Sequence, residues 1–266
     1  MIGVFDSGYG GPTVFKPLAE KFPEYGFIYF GDNAKAPYGD KSQEIIYQYT
    51  KEAVDWLFRQ GCELIILACN TASSQALRKI QKSLPGSKYS SRRVLGVLIP
   101  VAEAVANLDG KIGILATEAT VKSGAYLREI QKLGQHQVSN IIQVPAPLLV
   151  PLIEAGKIDG IETKETVKNY LEVFKKENIK NIILGCTHYP FIKNLIQAEM
   201  PDAKIFDSPS VIPPALENYL AHHPEIEKLI SKNGVRRYVT TGDPEKFAKF
   251  AEDFLEMEIN PERVIL

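Results

Sequence analysis

Cysteine is scarce in this chain: Cys62, Cys69 and Cys186 are the three present among 266 residues. So odd and sparse a set builds no disulfide framework, and a reducing compartment would keep all three as thiols. A surplus of one charge is missing too, because 31 Lys and Arg stand against 32 Asp and Glu, for a formal net charge of −1. A chain whose main partner is DNA or RNA needs a basic excess to neutralise phosphate, so no nucleic-acid partner is expected. The longest apolar run, Val144 to Ile153, is interrupted by Pro145, Pro147 and Pro151. It is about half the ~20 residues that a spanning helix requires, and no membrane association is expected. Met1-Ile2-Gly3-Val4-Phe5-Asp6 has neither the basic nor the apolar region of an export signal, which points to the cytoplasm. Long charge runs and low-complexity segments are absent as well.

What is present is a foldable composition, 45% hydrophobic and 24% charged, in a chain long enough for two modest domains. Short β-branched runs alternate with longer amphipathic stretches, the pattern of βαβ units and a parallel sheet. Strands are predicted at Ile2–Phe5, Gly26–Phe30, Leu64–Ala68, Val94–Leu98, Ile112–Ala116, Ile141–Val144, Ile182–Gly185, Lys204–Phe206 and Val235–Thr240. Ser42 to Gln60 reads as a helix, with Ser42 as N-cap, apolar residues near the helical period and Gly61 as stop. Two internal similarities organise the rest. Ile2-Gly3-Val4-Phe5 resembles Ile112-Gly113-Ile114-Leu115, and Leu64-Ile65-Ile66-Leu67-Ala68-Cys69 resembles Asn181-Ile182-Ile183-Leu184-Gly185-Cys186. The expected fold is therefore α/β: two similar domains, each a mainly parallel sheet flanked by helices, related by a pseudo-twofold axis with the active site in the cleft between them. Residues 1–98 with 207–266 form the first, discontinuous domain and 99–206 the second, the strand at 235–240 being most economically added to the first sheet.

Ligands of open parallel sheets bind beyond the carboxyl ends of the strands. Such ends here carry Asp6-Ser7-Gly8-Tyr9-Gly10-Gly11, Gly31-Asp32-Asn33 followed by Pro37-Tyr38-Gly39, Cys69-Asn70-Thr71 and Cys186-Thr187-His188, with hydroxyls of Thr117 and Thr120 at a fifth. A thiol between a buried strand and a helix N-terminus is expected to have a lowered pKa. One such cysteine would more often be a small buried hydrophobe. Two at matching places in two similar halves reverse those odds and would face one cavity from opposite sides. Cys62 precedes its strand and reads as a packing residue.

Zinc lacks a four-ligand set, a Cys-His hydrolase would leave the second cysteine idle, and a disulfide between the two would block a ligand. Two acid/base groups on opposite faces of a carbon fit a two-base proton transfer, which inverts stereochemistry. Ser7, Asn70, Thr71 and Thr187, with loop N–H groups, can hold carboxylates without arginine. Asp6 and His188 are placed to assist a thiol or meet an ammonium, against the plainer readings of a cap and a core histidine. His136, His222 and His223 are expected to face solvent. The glycine loop fails the dinucleotide fingerprint at Thr13. Lys35 has no phosphate cup around it and reads as a solvated loop lysine rather than a pyridoxal-phosphate anchor.

These motifs, together with Ala116-Thr117, Thr120-Val121, Asp207-Ser208 and Cys186-Thr187-His188-Tyr189-Pro190, resemble the cofactor-independent glutamate racemases of the aspartate/glutamate racemase superfamily over nearly the whole chain. The resemblance implies interconversion of L- and D-glutamate for peptidoglycan synthesis, with no metal and no organic cofactor, in a homodimer. It implies Cys69 as the base toward D-glutamate and Cys186 as the base toward L-glutamate. Substrate contacts would come from Asp6, Ser7, Tyr38, Gly39, Asn70, Thr71, Thr187 and His188, with Glu154 as a further helper acid. Pro12 departs from the family's usual leucine, outside the chemistry. The alternatives are a racemase of another amino acid such as aspartate, and a non-catalytic amino-acid-binding or regulatory protein.

Overall fold

A computed structural model describes residues 1–133 and 138–266; His136 lies outside them. Among the described residues ten strands occupy two sheets. In the first sheet are β1 (Ile2–Asp6), β2 (Phe27–Gly31), β3 (Leu64–Leu67), β4 (Arg93–Gly96), β9 (Arg236–Thr240) and β10 (Glu262–Arg263). The second holds β5 (Ile112–Ala116), β6 (Ile141–Pro145), β7 (Asn181–Gly185) and β8 (Lys204–Asp207). Their spatial orders are β10-β9-β2-β1-β3-β4 and β6-β5-β7-β8, and the strand pairs run parallel.

The two orders contain the same unit. β2-β1-β3-β4 corresponds to β6-β5-β7-β8, so the internal sequence similarities fall on equivalent strands: β1 on β5, and β3 on β7. Connections leave the central strand in opposite directions on its two sides, which opens a crevice at the carboxyl ends of β1 and β3, and of β5 and β7. Central strands are buried on both faces, as unbroken apolar runs such as Leu64-Ile65-Ile66-Leu67 require. Helices cover each face over separate apolar cores, one including Phe5, Leu57 and Ile65 and the opposite one Val4, Phe15 and Phe27. Residues Leu115, Phe174 and Ile182, and on the other face Val101, Ile114 and Ile183, repeat this layering in the second half.

The helix predicted from Ser42 spans Gln43–Arg59, with Ser42 Oγ accepting the Ile45 N–H. The strand predicted over Val94–Leu98 stops at Gly96. The Leu98 N–H turns to Ser73 Oγ at 3.4 Å and Leu98 opens the helix Leu98–Val105, so its apolar residues serve a helix face instead of a strand. Past Cys186 the expected α-helix is preceded by a 3-10 turn, Tyr189–Ile192, and begins only at Lys193. Pro190 lacks an N–H, and the short i→i+3 bonds Tyr189 N–H to Cys186 and Phe191 N–H to His188 take over there. β10 had no sequence signal, being two exposed charged residues; Glu262 is held by a two-pronged pair with Arg237 on β9, at 2.9 and 2.8 Å. No helix among the described residues is long and apolar enough to cross a membrane.

Candidate active site

β1 delivers Asp6 and Ser7, β3 delivers Cys69, and β7 delivers Cys186. After Asp6 the chain folds back so that Gly8 and Gly11 N–H groups both donate to Asp6 Oδ2 at 3.1 Å. The Thr187 hydroxyl reaches across from the second half to Asp6 Oδ1 at 3.3 Å, and Thr13 Oγ1 donates back to the Thr187 carbonyl at 2.9 Å. Cys69 is the N-cap of the short helix Asn70–Gln75: its Sγ accepts the Ala72 N–H at 3.3 Å and lies 3.1 Å from Ser7 Oγ. Cys186 Sγ lies 3.7 Å from His188 Nδ1, and His188 Nε2 is 2.9 Å from Glu154 Oε1. A hydroxyl chain, Thr71 to Thr117 to Thr120 with steps of 2.9 Å, ties the two halves together beside Cys69.

These groups surround one cavity of about 200 Å³ whose wall includes both Cys69 and Cys186. Ser7, Tyr38, Gly39, Asn70, Thr71, Thr187 and His188 share that wall, whereas Asp6 sits fully buried behind it. Tyr38 contributes its ring, since its hydroxyl donates to buried Asp32 at 2.6 Å. Lys35, read as solvated, is instead paired with Glu52 at 2.9 Å and lies 4.4 Å over the Tyr49 ring, because the loop folds onto the helix Gln43–Arg59. His222 is exposed, while His223 is half-buried with its ring 4.3 Å from that of Tyr219. The strand-end hydroxyl of Thr117 is on the wall and Thr120 lies behind it.

Sequence reasoning missed the apolar side of the cavity. Ala146, Pro147, Val150 and Pro151 form it, and the signal was the same proline-broken run that excluded a membrane span. A short, proline-rich apolar segment at a strand end is suited to line a pocket. No Lys or Arg is among the described wall residues, so an anion there depends on His188 and on hydroxyl, amide and backbone donors. Among the described residues no three His, Cys, Asp or Glu side chains gather as a metal-binding group.

The expected lowering of the thiol pKa is reversed at Cys69. Burial pushes it up to about 12 and the nearby Asp6 charge adds to this, outweighing the Ser7 and Ala72 hydrogen bonds. The six-residue helix that Cys69 caps offers too small a dipole to compensate. Asp6 is itself raised, by burial first, against the lowering pull of His188 and its hydrogen bonds. Burial alone would lower His188, but hydrogen bonds and charge from Cys186 and Glu154 overcome it and raise the imidazole to about 10.

That shift has a sign for stability. Between about 6.5, its ordinary value, and about 10 in the fold, the folded chain holds a proton that the unfolded chain has released. The contribution is complete below the first value and is lost as pH rises through the second. Thermal melts are expected to show a falling Tm from pH ~6.5 upward, and Glu154→Gln should flatten the fall by removing one of the groups that raise the imidazole. A Tm that does not fall across this window would contradict the His188 assignment.

The sequence family described as Asp/Glu/hydantoin racemase matches residues 15–215. A glutamate racemase of Persephonella marina is 38% identical, covering 100% of this chain and 97% of that protein. Among solved structures, a glutamate racemase isoform of Bacillus anthracis superimposes with a TM-score of 0.91 at 31% identity, covering 100% and 97% of the two chains. The Francisella tularensis glutamate racemase in complex with D-glutamate gives 0.87 at 35% identity, covering 99% and 97%. With the family match, the full-length relatives and the paired-thiol cavity in agreement, the chain belongs to the Asp/Glu/hydantoin racemase family.

Proposed function

We propose that this racemase interconverts L- and D-glutamate by two-base proton transfer, with Cys69 and Cys186 as the two bases. The observation that carries the reading is that both thiols lie on one cavity, at the ends of equivalent strands β3 and β7. The Cys69 thiolate takes the α-proton of D-glutamate, leaving its electron pair on a carbanion conjugated with the carboxylate. The Cys186 thiol then gives its proton to the opposite face, and L-glutamate forms with the two sulfur protonation states exchanged. The reverse reaction uses the same groups in opposite roles.

Burial and Asp6 hold Cys69 as a thiol. A bound substrate ammonium adds positive charge beside Cys69 and favours the thiolate. Asp6 and the His188–Glu154 pair assist on their respective sides. Ser7, Asn70, Thr71 and Thr187, with the Tyr38-Gly39 segment, hold the carboxylates, and no metal or organic cofactor takes part. The same reading assigns residues 1–98 with 207–266 to one domain and 99–206 to the other. It also assigns the enzyme to a cytoplasmic homodimer that supplies D-glutamate for peptidoglycan.

The test is circular-dichroism detection of L-glutamate conversion by the purified chain, with chelator present and no pyridoxal phosphate added. In deuterated solvent the product should carry deuterium at the α-carbon. Activity that vanished with chelator and returned with metal would overturn the two-thiol mechanism, and a higher kcat/KM on aspartate would overturn the substrate.

A further inference from the structure

Asn70 is 2% exposed and stands on the cavity wall, yet its Nδ2 has no hydrogen-bond partner among the described residues. A buried amide donor without an acceptor costs free energy unless a ligand supplies one. Its other end is held: Tyr126, fully buried in the helix Ala125–Leu133, donates its hydroxyl to Asn70 Oδ1 at 2.8 Å. A carboxamide presents oxygen on one side and nitrogen on the other, so whichever group fixes one end decides which end the opposite side meets. Tyr126 comes from the second half of the chain, whereas Asn70 follows Cys69 in the first. A Cβ placed on Gly185, the residue before Cys186, would lie 3.2 Å from the Tyr126 ring. One side chain thus touches the strand end that carries one thiol and the residue that follows the other.

We propose that Tyr126 is a positioning residue: its hydroxyl holds the Asn70 carboxamide with the NH2 group toward the cavity, as a donor to a substrate carboxylate. The inference rests on the glutamate reading above and adds to it a residue that does not touch the substrate. In a wall without Lys or Arg among the described residues, the orientation of one neutral amide matters. Turned over, Asn70 would present a carbonyl oxygen and repel the anion. Tyr126→Phe keeps the ring that packs against Gly185 and removes only the donor, leaving the amide free to turn.

The experiment measures kcat, KM and the calorimetric Kd for glutamate in the wild-type chain, Tyr126→Phe, Asn70→Ala and the double variant, with Tm as a check on folding. The carboxylate already carries a full negative charge in the ground state and gains only part of the carbanion's charge, so the lost contact should weaken binding more than it slows chemistry. Tyr126→Phe is expected to raise KM and Kd about tenfold with kcat within about threefold. Adding Tyr126→Phe to Asn70→Ala should cost nothing more, because the hydroxyl acts through the amide. Unchanged KM and Kd in Tyr126→Phe would overturn the inference, as would a second, additive loss in the double variant. A wild-type chain that bound glutamate without racemising it would overturn the reaction reading alone, and the variant's Kd would still decide the role of Tyr126.

Discussion

Replacing either Cys69 or Cys186 by serine is expected to lower kcat/KM by about 10³-fold or more in both directions, the scale of a lost general acid or base. Every conversion takes a proton onto one sulfur and gives one from the other, so neither single variant retains a one-way reaction. A serine hydroxyl is a far weaker acid than a thiol, and burial already holds Cys69 up at about 12. A hydroxyl at that place would not reach the anionic form. Cys62→Ser is the contrast. Cys62 lies buried just before β3, in the apolar core with Leu57 and Ile65. Burying a hydroxyl there should cost about 1–3 kcal/mol and lower Tm, while kcat/KM stays within about threefold. The measurement is racemisation rate and thermal melt on the three variants in parallel. Full activity in Cys186→Ser would sink the two-thiol assignment.

Why those two thiols were legible in the sequence, and the rest of the site less so, follows from range. Strand runs such as Leu64 to Leu67 and Asn181 to Gly185 announce themselves by local pattern, and their similarity placed Cys69 and Cys186 at equivalent ends. The repeat of strand order in the two sheets bears out that reading of related halves. Val97 and Leu98 looked like strand because a short apolar run has no period of its own; Leu98 instead opens the helix Leu98–Val105, with its N–H directed to Ser73. β10 carries two charged residues and depends on a pairing with Arg237 that is distant in sequence. The direction of the Cys69 shift was misread because a strand-to-helix position speaks for a dipole, while the opposing terms are burial and Asp6, which belong to the assembled site. Glu154 meets His188 and Tyr126 meets Asn70 through contacts between separate segments. No spacing along the chain encodes either.

The loop that bends Asp6 back on itself sets the second large effect. Gly11→Ala is expected to destabilise the protein by about 3 kcal/mol and to lower kcat/KM by about 10²-fold. Gly11 has φ −57° and ψ −31°, ordinary helical values, so backbone freedom is not what the position demands. Space is. A Cβ there would lie 2.3 Å from Asp6 Cβ and 2.3 Å from the Tyr29 hydroxyl. The first atom is fixed to the end of β1 and the second to buried β2, so neither can swing clear as a flexible side-chain tip would. Relief must come from moving the start of the helix Pro12–Lys21 or the Asp6 carboxylate, and either movement breaks the Gly11 N–H bond to Asp6 Oδ2. Asp6 is also the acceptor for Thr187 from the other half, so the strain passes from the Cys69 side of the cavity to the Cys186 side. Gly8→Ala provides the control for stability. A Cβ at Gly8 meets its nearest neighbour, Ala36 Cβ, at 3.6 Å, and Tm should change by less than about 2 °C. Thermal melts and glutamate turnover of the two variants decide the matter: a Gly11→Ala protein as stable and active as wild type would mean that the loop yields where the packing says it cannot.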